Sequence, residues 1–198
     1  GSLMKIWFDN GDWHLSTNGT IDAFKAKIEV LDGYRDFTFG ELFERALGRP
    51  FKELAQFLDK RKTYLFELVS LDNKVVISYE KEGVYLLAAF DTNSGVEERN
   101  LDFFKDLEGF NLNFPRVYNL SSIKDTLDFV CSSKEMEDKE GVVVNDAFGN
   151  RVKVKTQEYL LKSKIFAQKM TKKRLVEFVL EEKVDDLLAY FPEYTENV

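Results

Sequence analysis

Two charged segments stand out because they place acidic and basic side chains where strands usually carry apolar ones. Glu140 precedes a glycine and three valines, and Lys153 and Lys155 alternate with valines in the next predicted strand. Lysines at alternate strand positions lie on one face and repel each other unless an anion is nearby. A carboxylate and two ammonium groups suit a nucleotide phosphate and a hard cation. The wet face of an ordinary hairpin is the alternative interpretation.

A second acidic residue, Glu67, interrupts the apolar sequence from Tyr64 to Val69. Burial of a carboxylate without a partner is costly. Glu67 therefore either lies on the solvent side of an edge strand or contacts a ligand. Phe90 ends another predicted strand, and in a chain with 18 phenylalanines a core position is the simpler interpretation of it.

The composition predicts one large domain, or one domain with a short appendage, and excludes several kinds of site. The 198 residues are 44% hydrophobic and 14% aromatic, which is enough for a real core. His14 and Cys131 are the only residues of their types, which excludes a zinc cluster and argues against a Ser-His-Asp hydrolase. Cys131 is expected to be buried in a helix. A lone cysteine suits a reducing, cytoplasmic location, and the lack of a long apolar run predicts no membrane partner.

The charge distribution leaves a nucleic-acid partner open. The net charge of −7 alone argues against such a partner. From Arg151 to Arg174, however, basic residues predominate and Glu158 is the only acid. A local basic face can bind phosphates even on an acidic protein. A solvated helix surface is the alternative interpretation of these lysines.

Apolar periodicity and turn signals predict an α+β fold, with helices flanking an antiparallel or mixed sheet. Strands are predicted over about 4–8, 13–17, 63–70, 75–79, 84–91, 140–145 and 151–156. Helices are predicted over about 20–31, 38–47, 51–60, 99–108, 121–133, 157–168, 171–182 and 183–190. The all-helical pattern at the end predicts a domain over 1–168 and the start of a helical extension over 169–198.

In their order and in their amino-acid sequences, three segments resemble nucleotidyltransferase motifs III, IV and V of the covalent ligase superfamily. They are Phe66 to Val69, Glu140 to Val144, and Lys153 to Lys155 with Tyr159 behind. The resemblance is greatest to the phage-type ATP-dependent RNA ligases, the T4 RNA ligase 1-like group. It implies the nucleotidyltransferase (ATP-grasp-like ligase) fold, with ATP and Mg²⁺ or Mn²⁺ as cofactors. It also implies the joining of RNA 5′-phosphate and 3′-hydroxyl ends through ligase-AMP and RNA-adenylate.

The resemblance implies roles for individual residues. Lys153 and Lys155 become the catalytic residues, which hold the triphosphate and stabilise charge on the transferring phosphorus. Glu140 becomes the ligand of the catalytic metal. Val143 offers an aliphatic surface to the base, and Glu67 contacts the ribose.

Four further positions belong to the implied nucleotide site. Tyr159 matches a tyrosine at that place in the family, and Phe90 resembles a motif IIIa aromatic residue that stacks on adenine. Gly1 and Ser2 resemble the tail of the Lys-x-Asp-Gly-Ser element of motif I. The nucleophilic lysine is then expected three residues before Gly1, in a missing N-terminal segment of the same protein. The chain as given is accordingly expected not to adenylylate itself.

Several alternatives stay open. Gly1 and Ser2 can equally be two amino acids left behind by proteolytic removal of a cloning tag. The chain can also be read as a non-catalytic module that binds nucleotide or RNA ends, as a DNA ligase-like protein, or as an unrelated α+β domain. Family members often carry Lys or Arg where this chain has Asn18, which argues against a phosphate contact by that side chain.

Overall fold

The chain folds into two compact units. The structure is a computed structural model that describes residues 1–30, 33–73, 76, 77, 79, 81–146 and 148–166, together with 176, 179, 180 and 188. The first unit comprises Gly1–Lys74 and Ser78–Tyr118, and the second comprises Val75–Ile77 and Asn119–Val198. The predicted boundary between residues 168 and 169 lies outside the described residues and stays a prediction.

The described residues form ten strands, four α-helices and two short 3-10 segments. The strands are β1 (Ser2–Asp9), β2 (Asp12–Thr17), β3 (Lys27–Val30), β4 (Gly33–Thr38), β5 (Lys62–Val69), β6 (Gly83–Asp91), β7 (Glu97–Glu98), β8 (Leu112–Asn113), β9 (Gly141–Asn145) and β10 (Arg151–Lys155). The α-helices are α1 (Phe39–Leu47), α2 (Phe51–Ala55), α3 (Ile123–Ser132) and α4 (Gln157–Phe166). The 3-10 segments are Asp102–Asp106 and Lys134–Met136. No helix in this described part of the chain is both long and apolar enough to cross a lipid bilayer.

A six-stranded sheet organises the first unit. Its order is β2-β1-β5-β6-β7, and β8 pairs with β6 in parallel. The other pairs in this sheet are antiparallel. Two smaller antiparallel pairs lie apart from it, β3 with β4 and β9 with β10. The predicted combination of helices with an antiparallel or mixed sheet is therefore confirmed.

The first hairpin forms where the sequence predicted it, at Asp9-Asn10-Gly11-Asp12. Asn10 has φ 47° and Gly11 has φ 86°. Two successive positive φ angles match a type I′ turn, whose twist matches that of the strands it joins. The turn sets the register that brings Trp7 opposite His14.

The two faces of β5 differ because successive side chains of a strand alternate between faces. Tyr64, Phe66 and Leu68 are buried in the core of the first unit. The ring of Phe66 packs edge-on against Phe43 of α1, with 5.7 Å between ring centroids. Glu67 lies on the opposite face, so one strand carries both the core and a predicted site residue.

The second unit contains the β9–β10 hairpin together with α3 and α4. Ser122 caps α3, because its side chain accepts a hydrogen bond from the backbone N–H of Asp125. The turn between β9 and β10 is closed by the Asp146 carboxylate, which accepts from the backbone N–H groups of Phe148 and Asn150. The predicted hairpin and the helix that follows it are both confirmed.

The predicted helix over 20–31 is wrong, because backbone groups of this segment bond outside it. The N–H of Ala23 donates to the carbonyl of Leu15 in β2, and the carbonyl of Ala23 accepts from the N–H of Gly40, each at 2.9 Å. These bonds tie the segment to a strand and to the start of α1. The chain then continues as β3, Lys27–Val30.

Other predictions need smaller corrections. Residues 76, 77 and 79, described from the predicted strand 75–79, are not in a strand, and only 102–106 of the predicted helix 99–108 is helical. Cys131 lies in a helix as expected but is exposed. The preceding residue, Val130, is buried instead, and consecutive helical residues point about 100° apart. The predicted helices 171–182 and 183–190 lie outside the described residues, apart from four single helical positions.

Loss of the cap of α1 is expected to destabilise the first unit. The Thr38 hydroxyl accepts from the backbone N–H of Glu41, whose carboxylate accepts in return from the backbone N–H of Thr38 at 2.7 Å. Thr38→Ala removes one of these two bonds and should lower the free energy of unfolding by about 1 kcal/mol. Thr38→Ser keeps the hydroxyl and is the matched control. Urea denaturation measures both, and equal stability of the two variants would contradict the capping role.

Candidate functional site

The β9–β10 hairpin places four of the predicted site residues in one part of the second unit. In its register Lys155 lies opposite Gly141, and Lys153 lies opposite Val143. Residues directly opposite one another share a face of an antiparallel pair. Lys153, Lys155 and Val143 therefore lie on one face, as the sequence predicted for the two lysines. Val143 is 52% exposed, so its aliphatic surface is accessible in this unit.

Gly141 lets the two strands pair directly beside Glu140. Its φ is +142°, a conformation that side chains rarely adopt. A Cβ atom there would lie 2.0 Å from the carbonyl oxygen of Val154. The glycine of the Glu-Gly pair is thus required by the backbone of β10.

Glu140 lies between the two lysine ammonium groups. Its Oε1 is 3.0 Å from Nζ of Lys155 and 3.9 Å from Nζ of Lys153. The Lys155 side chain is 32% exposed, whereas that of Lys153 is 66% exposed. The hydrogen bond to Glu140 raises the pKa of Lys155, against the opposing effect of partial burial. Lys155 is therefore a partly enclosed, firmly protonated cation, and Lys153 is a more exposed one.

Tyr159 contacts the same lysine from α4. Nζ of Lys155 lies 4.5 Å from the centroid of the Tyr159 ring. A cation over an aromatic face is attracted by the ring quadrupole. The structure therefore brings Glu140, Lys155 and Tyr159 into contact, with the lysine between the carboxylate and the aromatic ring.

Thr156 fixes this arrangement and was not singled out by the sequence analysis. Its N–H donates to the carbonyl of Glu140 at 2.9 Å, and its hydroxyl donates to the carbonyl of Lys139 at 2.8 Å. The same hydroxyl accepts from the backbone N–H of Tyr159 at 3.1 Å and so caps α4. A threonine just before a predicted helix is the signal that would have identified it.

Lys162 is a second residue that the sequence analysis passed over. Its Nζ lies 2.6 Å from Glu158 and 3.3 Å from Asp138, and its side chain is 15% exposed. Burial lowers the pKa of Lys162, but the hydrogen bonds to Glu158 and Asp138 outweigh it, and the pKa is raised. The i, i+4 spacing of Glu158 and Lys162 was the available signal.

Glu67, Gly1 and Ser2 lie together in the first unit. Glu67 is opposite Leu3 of β1, and its Oε1 is 4.0 Å from the amino nitrogen of Gly1. A Cβ atom on Gly1 would lie 2.2 Å from that same carboxylate oxygen. Ser2 begins β1, and its hydroxyl oxygen accepts from the side-chain amide of Asn73 at 3.3 Å.

The position of Glu67 decides between two interpretations of its strand. β5 pairs with β1 on one side and β6 on the other, so it is an interior strand. The interpretation of Glu67 as the solvent side of an edge strand is wrong. Phe90 is half-buried and lies opposite Thr63, on the Glu67 face of the sheet rather than among the core residues.

The site residues thus form two groups, one in each unit. Gly1, Ser2, Glu67 and Phe90 belong to the first unit, and Glu140, Val143, Lys153, Lys155 and Tyr159 belong to the second. Within the described residues, no three His, Cys, Asp or Glu side chains are grouped to hold a metal ion. The nucleotide, metal and catalytic roles of these residues stay predictions.

Comparison with known proteins finds relatives over nearly the whole chain. The chain is 31% identical over 202 aligned residues to a protein of Autographa californica nuclear polyhedrosis virus that is named as a bifunctional polynucleotide kinase/RNA ligase. It is 25% identical over 218 aligned residues to the RNA ligase of Rhodothermus phage RM378. The alignments cover 97% and 95% of this chain. They cover 27% of the viral protein and 49% of the phage protein, so the chain spans half or less of each relative. No family model matches the chain.

Two solved structures of a Naegleria gruberi RNA ligase have a similar fold. One, with PPi, superimposes with a TM-score of 0.57 at 16% identity, and the other, an apo mutant, with a TM-score of 0.56 at 15% identity. Each match covers 83% of this chain and 49% of the other. Together, the sequence and fold comparisons confirm the resemblance to RNA ligases that the three motifs predicted.

Substitution of Gly141 is expected to disrupt the hairpin beside Glu140. Gly141→Ala combines a rarely adopted φ with a contact to the backbone of Val154, and should destabilise the local pairing by more than about 2 kcal/mol. Hydrogen–deuterium exchange of the β9 and β10 amides measures this, with about a 30-fold loss of protection expected. Gly19→Ala is the control, because nothing lies within 4 Å of a Cβ atom there. Unchanged protection in Gly141→Ala would show that β9 and β10 accommodate a Cβ atom at position 141 without loss of pairing, and would contradict the requirement for glycine.

Proposed function

We propose that this chain, a relative of RNA ligases of the nucleotidyltransferase type, is part of the adenylyltransferase domain of an ATP-dependent RNA ligase. In the proposed reaction, AMP is transferred from ATP to the enzyme with release of pyrophosphate, and then from the enzyme to an RNA 5′-phosphate. A 3′-hydroxyl end next attacks that phosphate, and AMP leaves. The observation that carries the proposal is the group of Glu140, Lys153 and Lys155 on the β9–β10 hairpin.

Two lysines on one strand face suit phosphate binding because phosphoryl transfer requires mainly positioning and charge neutralisation. Lys155 is held by Glu140 and by the ring of Tyr159, so its ammonium group has a defined position before a ligand arrives. Lys153 is more exposed and only 3.9 Å from the same carboxylate. We assign both lysines to the phosphates of ATP, with Lys155 as the better positioned of the two.

The protonation of Lys155 fits charge stabilisation rather than nucleophilic attack. A lysine nucleophile must lose its proton, which surroundings that lower its pKa promote. The Glu140 hydrogen bond instead raises the pKa of Lys155. Lys162 also has a raised pKa, since its hydrogen bonds to Glu158 and Asp138 outweigh the effect of burial. Neither lysine is therefore suited to carry the AMP group.

A divalent metal fits the chemistry of Glu140. Mg²⁺ and Mn²⁺ prefer oxygen ligands, and Mg²⁺ is commonly held by one or two carboxylates together with phosphates and water. Glu140 would supply the carboxylate, and phosphate and water would supply the other oxygen ligands. A metal bound there would neutralise phosphate charge.

The first unit supplies the proposed contacts to the nucleoside. Glu67 has its carboxylate at the surface of an interior strand, 34% exposed, where it can accept a hydrogen bond from a ribose hydroxyl. Gly1 and Ser2 lie beside it. Because Gly1 has no side chain, the Glu67 carboxylate can occupy space that a Cβ atom at position 1 would take. Phe90 lies on the same face and is assigned to the adenine.

Binding of ATP to the chain is expected to depend on the hairpin lysines. Lys155→Gln removes a charged hydrogen-bond donor and should weaken binding of ATP with Mg²⁺ by about 10- to 100-fold. Isothermal titration calorimetry measures this. Lys124→Gln, which changes an exposed lysine of α3 in the same unit, is the matched control. Glu140→Gln should reduce the dependence of ATP affinity on Mg²⁺, and Glu67→Ala should weaken binding in the presence or absence of the metal.

Equal ATP affinity of the wild type and Lys155→Gln would contradict the assignment of the hairpin to phosphates. Binding of RNA ends without any binding of ATP would instead favour a non-catalytic module that recognises RNA ends.

The lysines of the second unit are expected not to carry AMP. After incubation with ATP and Mg²⁺, peptide mass spectrometry should find no adenylate on Lys155 or Lys162, because raised pKa values disfavour the neutral amine. This measurement also tests the prediction that the 198-residue chain does not adenylylate itself. An AMP group on either lysine, detected under alkaline conditions in which a phosphoramidate P–N bond is stable, would overturn the assignment of these residues to charge stabilisation.

A further inference from the structure

The Glu67 face of the six-stranded sheet continues beyond Glu67 into a cavity. Leu3, Lys5 and Trp7 alternate along β1, so they share one face, and Leu3 lies opposite Glu67. Lys5 lies opposite Leu65, two residues before Glu67. At the rise of a strand, this separates Lys5 from Glu67 by about 7 Å along β5. Lys5 is therefore close enough to Glu67, the predicted ribose contact, for a neighbouring nucleotide to reach it.

This cavity has the size of a nucleotide and a single charged lining residue. Its volume is about 430 Å³, within the range of small-molecule sites. Its lining residues include Lys5, Trp7, Ser16, Thr17, Asn18 and Thr63. No acidic side chain is among them, and the hydroxyl and amide groups can donate hydrogen bonds. The lining therefore suits an anion attached to a planar or apolar group.

Lys5 is the cation of the cavity. It is half-buried and forms no ion pair with any residue that the structure describes. Across β1 and β2 it lies opposite Ser16, whose side chain is 4% exposed. A partly buried ammonium group beside a buried hydroxyl, without an ion pair among the described residues, is arranged for a phosphate.

Trp7 adds an aromatic surface at the same cavity. Its ring stacks on His14, with 5.3 Å between centroids and 26° between planes. His14 is held in turn at its Nε2 by the backbone carbonyl of Asp9, 3.2 Å away. Unpaired RNA bases are commonly bound by stacking on aromatic side chains, next to cations that contact the phosphates.

The adjoining cavity has the opposite electrostatic character. It also includes Trp7 but is lined by Asp9, Asp12 and Asp22. Its one lysine, Lys52, is engaged by Asp12 at 2.7 Å. A phosphate is thus favoured on the Lys5 side of Trp7 and disfavoured on the other side.

We propose that the cavity formed by Lys5, Trp7 and Ser16 binds the terminal nucleotide of an RNA 5′-phosphate end, with the phosphate at Lys5 and the base against Trp7. The proposal rests on the proposed RNA ligase function and adds to it a location for the RNA. It assigns Lys5 and Trp7 to RNA binding, whereas the hairpin lysines are assigned to ATP.

The test compares two oligoribonucleotides that differ only in a 5′-phosphate or a 5′-hydroxyl group. Fluorescence anisotropy measures their affinities for the full 198-residue chain. Lys5→Gln should weaken binding of the phosphorylated RNA by about tenfold and leave the 5′-hydroxyl RNA and ATP unchanged. Lys25→Gln is the matched control, because Lys25 is 82% exposed in the same unit and does not line the cavity.

Tryptophan fluorescence locates the base independently. The chain has two tryptophans, so Trp13→Phe leaves Trp7 as the only one and Trp7→Phe leaves Trp13. Phosphorylated RNA should quench the emission of the Trp13→Phe variant and leave that of the Trp7→Phe variant nearly unchanged. Both substitutions keep an aromatic ring, and circular dichroism verifies that each variant is folded.

Three outcomes would overturn the proposal, and they are distinguishable. RNA binding that Lys5→Gln does not alter places the 5′-phosphate elsewhere, while the RNA ligase function stands. Weaker ATP binding by Lys5→Gln, with RNA binding unaffected, assigns the cavity to the phosphates of ATP. A wild-type chain that binds neither RNA overturns the proposed function together with this inference.

Discussion

The pairing of Gly141 with Lys155 is the constraint on which the second unit's site depends. Because the backbone of β10 occupies the space where a side chain at 141 would lie, the two strands approach closely at the point where Glu140 enters β9. Thr156 continues this contact by bonding to the carbonyls of Lys139 and Glu140 and by capping α4. Backbone geometry therefore brings together the strand ends and the helix that carry Glu140, Lys155 and Tyr159, and the contacts between these side chains then hold the ammonium group.

Glu140, Lys153 and Lys155 form a charged group in which the two lysines differ in their exposure to solvent. Two ammonium groups near one carboxylate leave a net positive charge, which solvent around the exposed Lys153 partly screens. Lys155 is less exposed and is compensated by Glu140 and the Tyr159 ring. A surface ion pair of this kind adds little to stability. The ion pair is therefore a minor contributor to folding, which is compatible with the proposed role of these residues in ligand binding.

The sequence predicted the regular elements whose patterns are local. The hairpin at Asn10 and Gly11, strands β5 and β6, and the β9–β10 hairpin each carry alternation or turn residues that act over a few positions. It failed over 20–31, where backbone groups bond to β2 and α1, which no local pattern encodes. It also expected Cys131 to be buried, although the buried stripe of α3 passes through Val130.

The same distinction applies to the site. Charged residues inside strands were visible in the sequence, so Glu67, Glu140, Lys153 and Lys155 could be selected before the fold was known. The partners that position them could not, because the bonds of Thr156 to Lys139 and Glu140 cross from one strand end to another. Lys5 and Trp7 gave no signal alone, since a strand that alternates charged and apolar residues is ordinary. Only the register of β1 against β5 shows that they share a face with Glu67, and only the loop after β2 encloses them. A site on an open sheet face is thus specified by pairing between distant strands, and its chemistry becomes visible once that pairing is known.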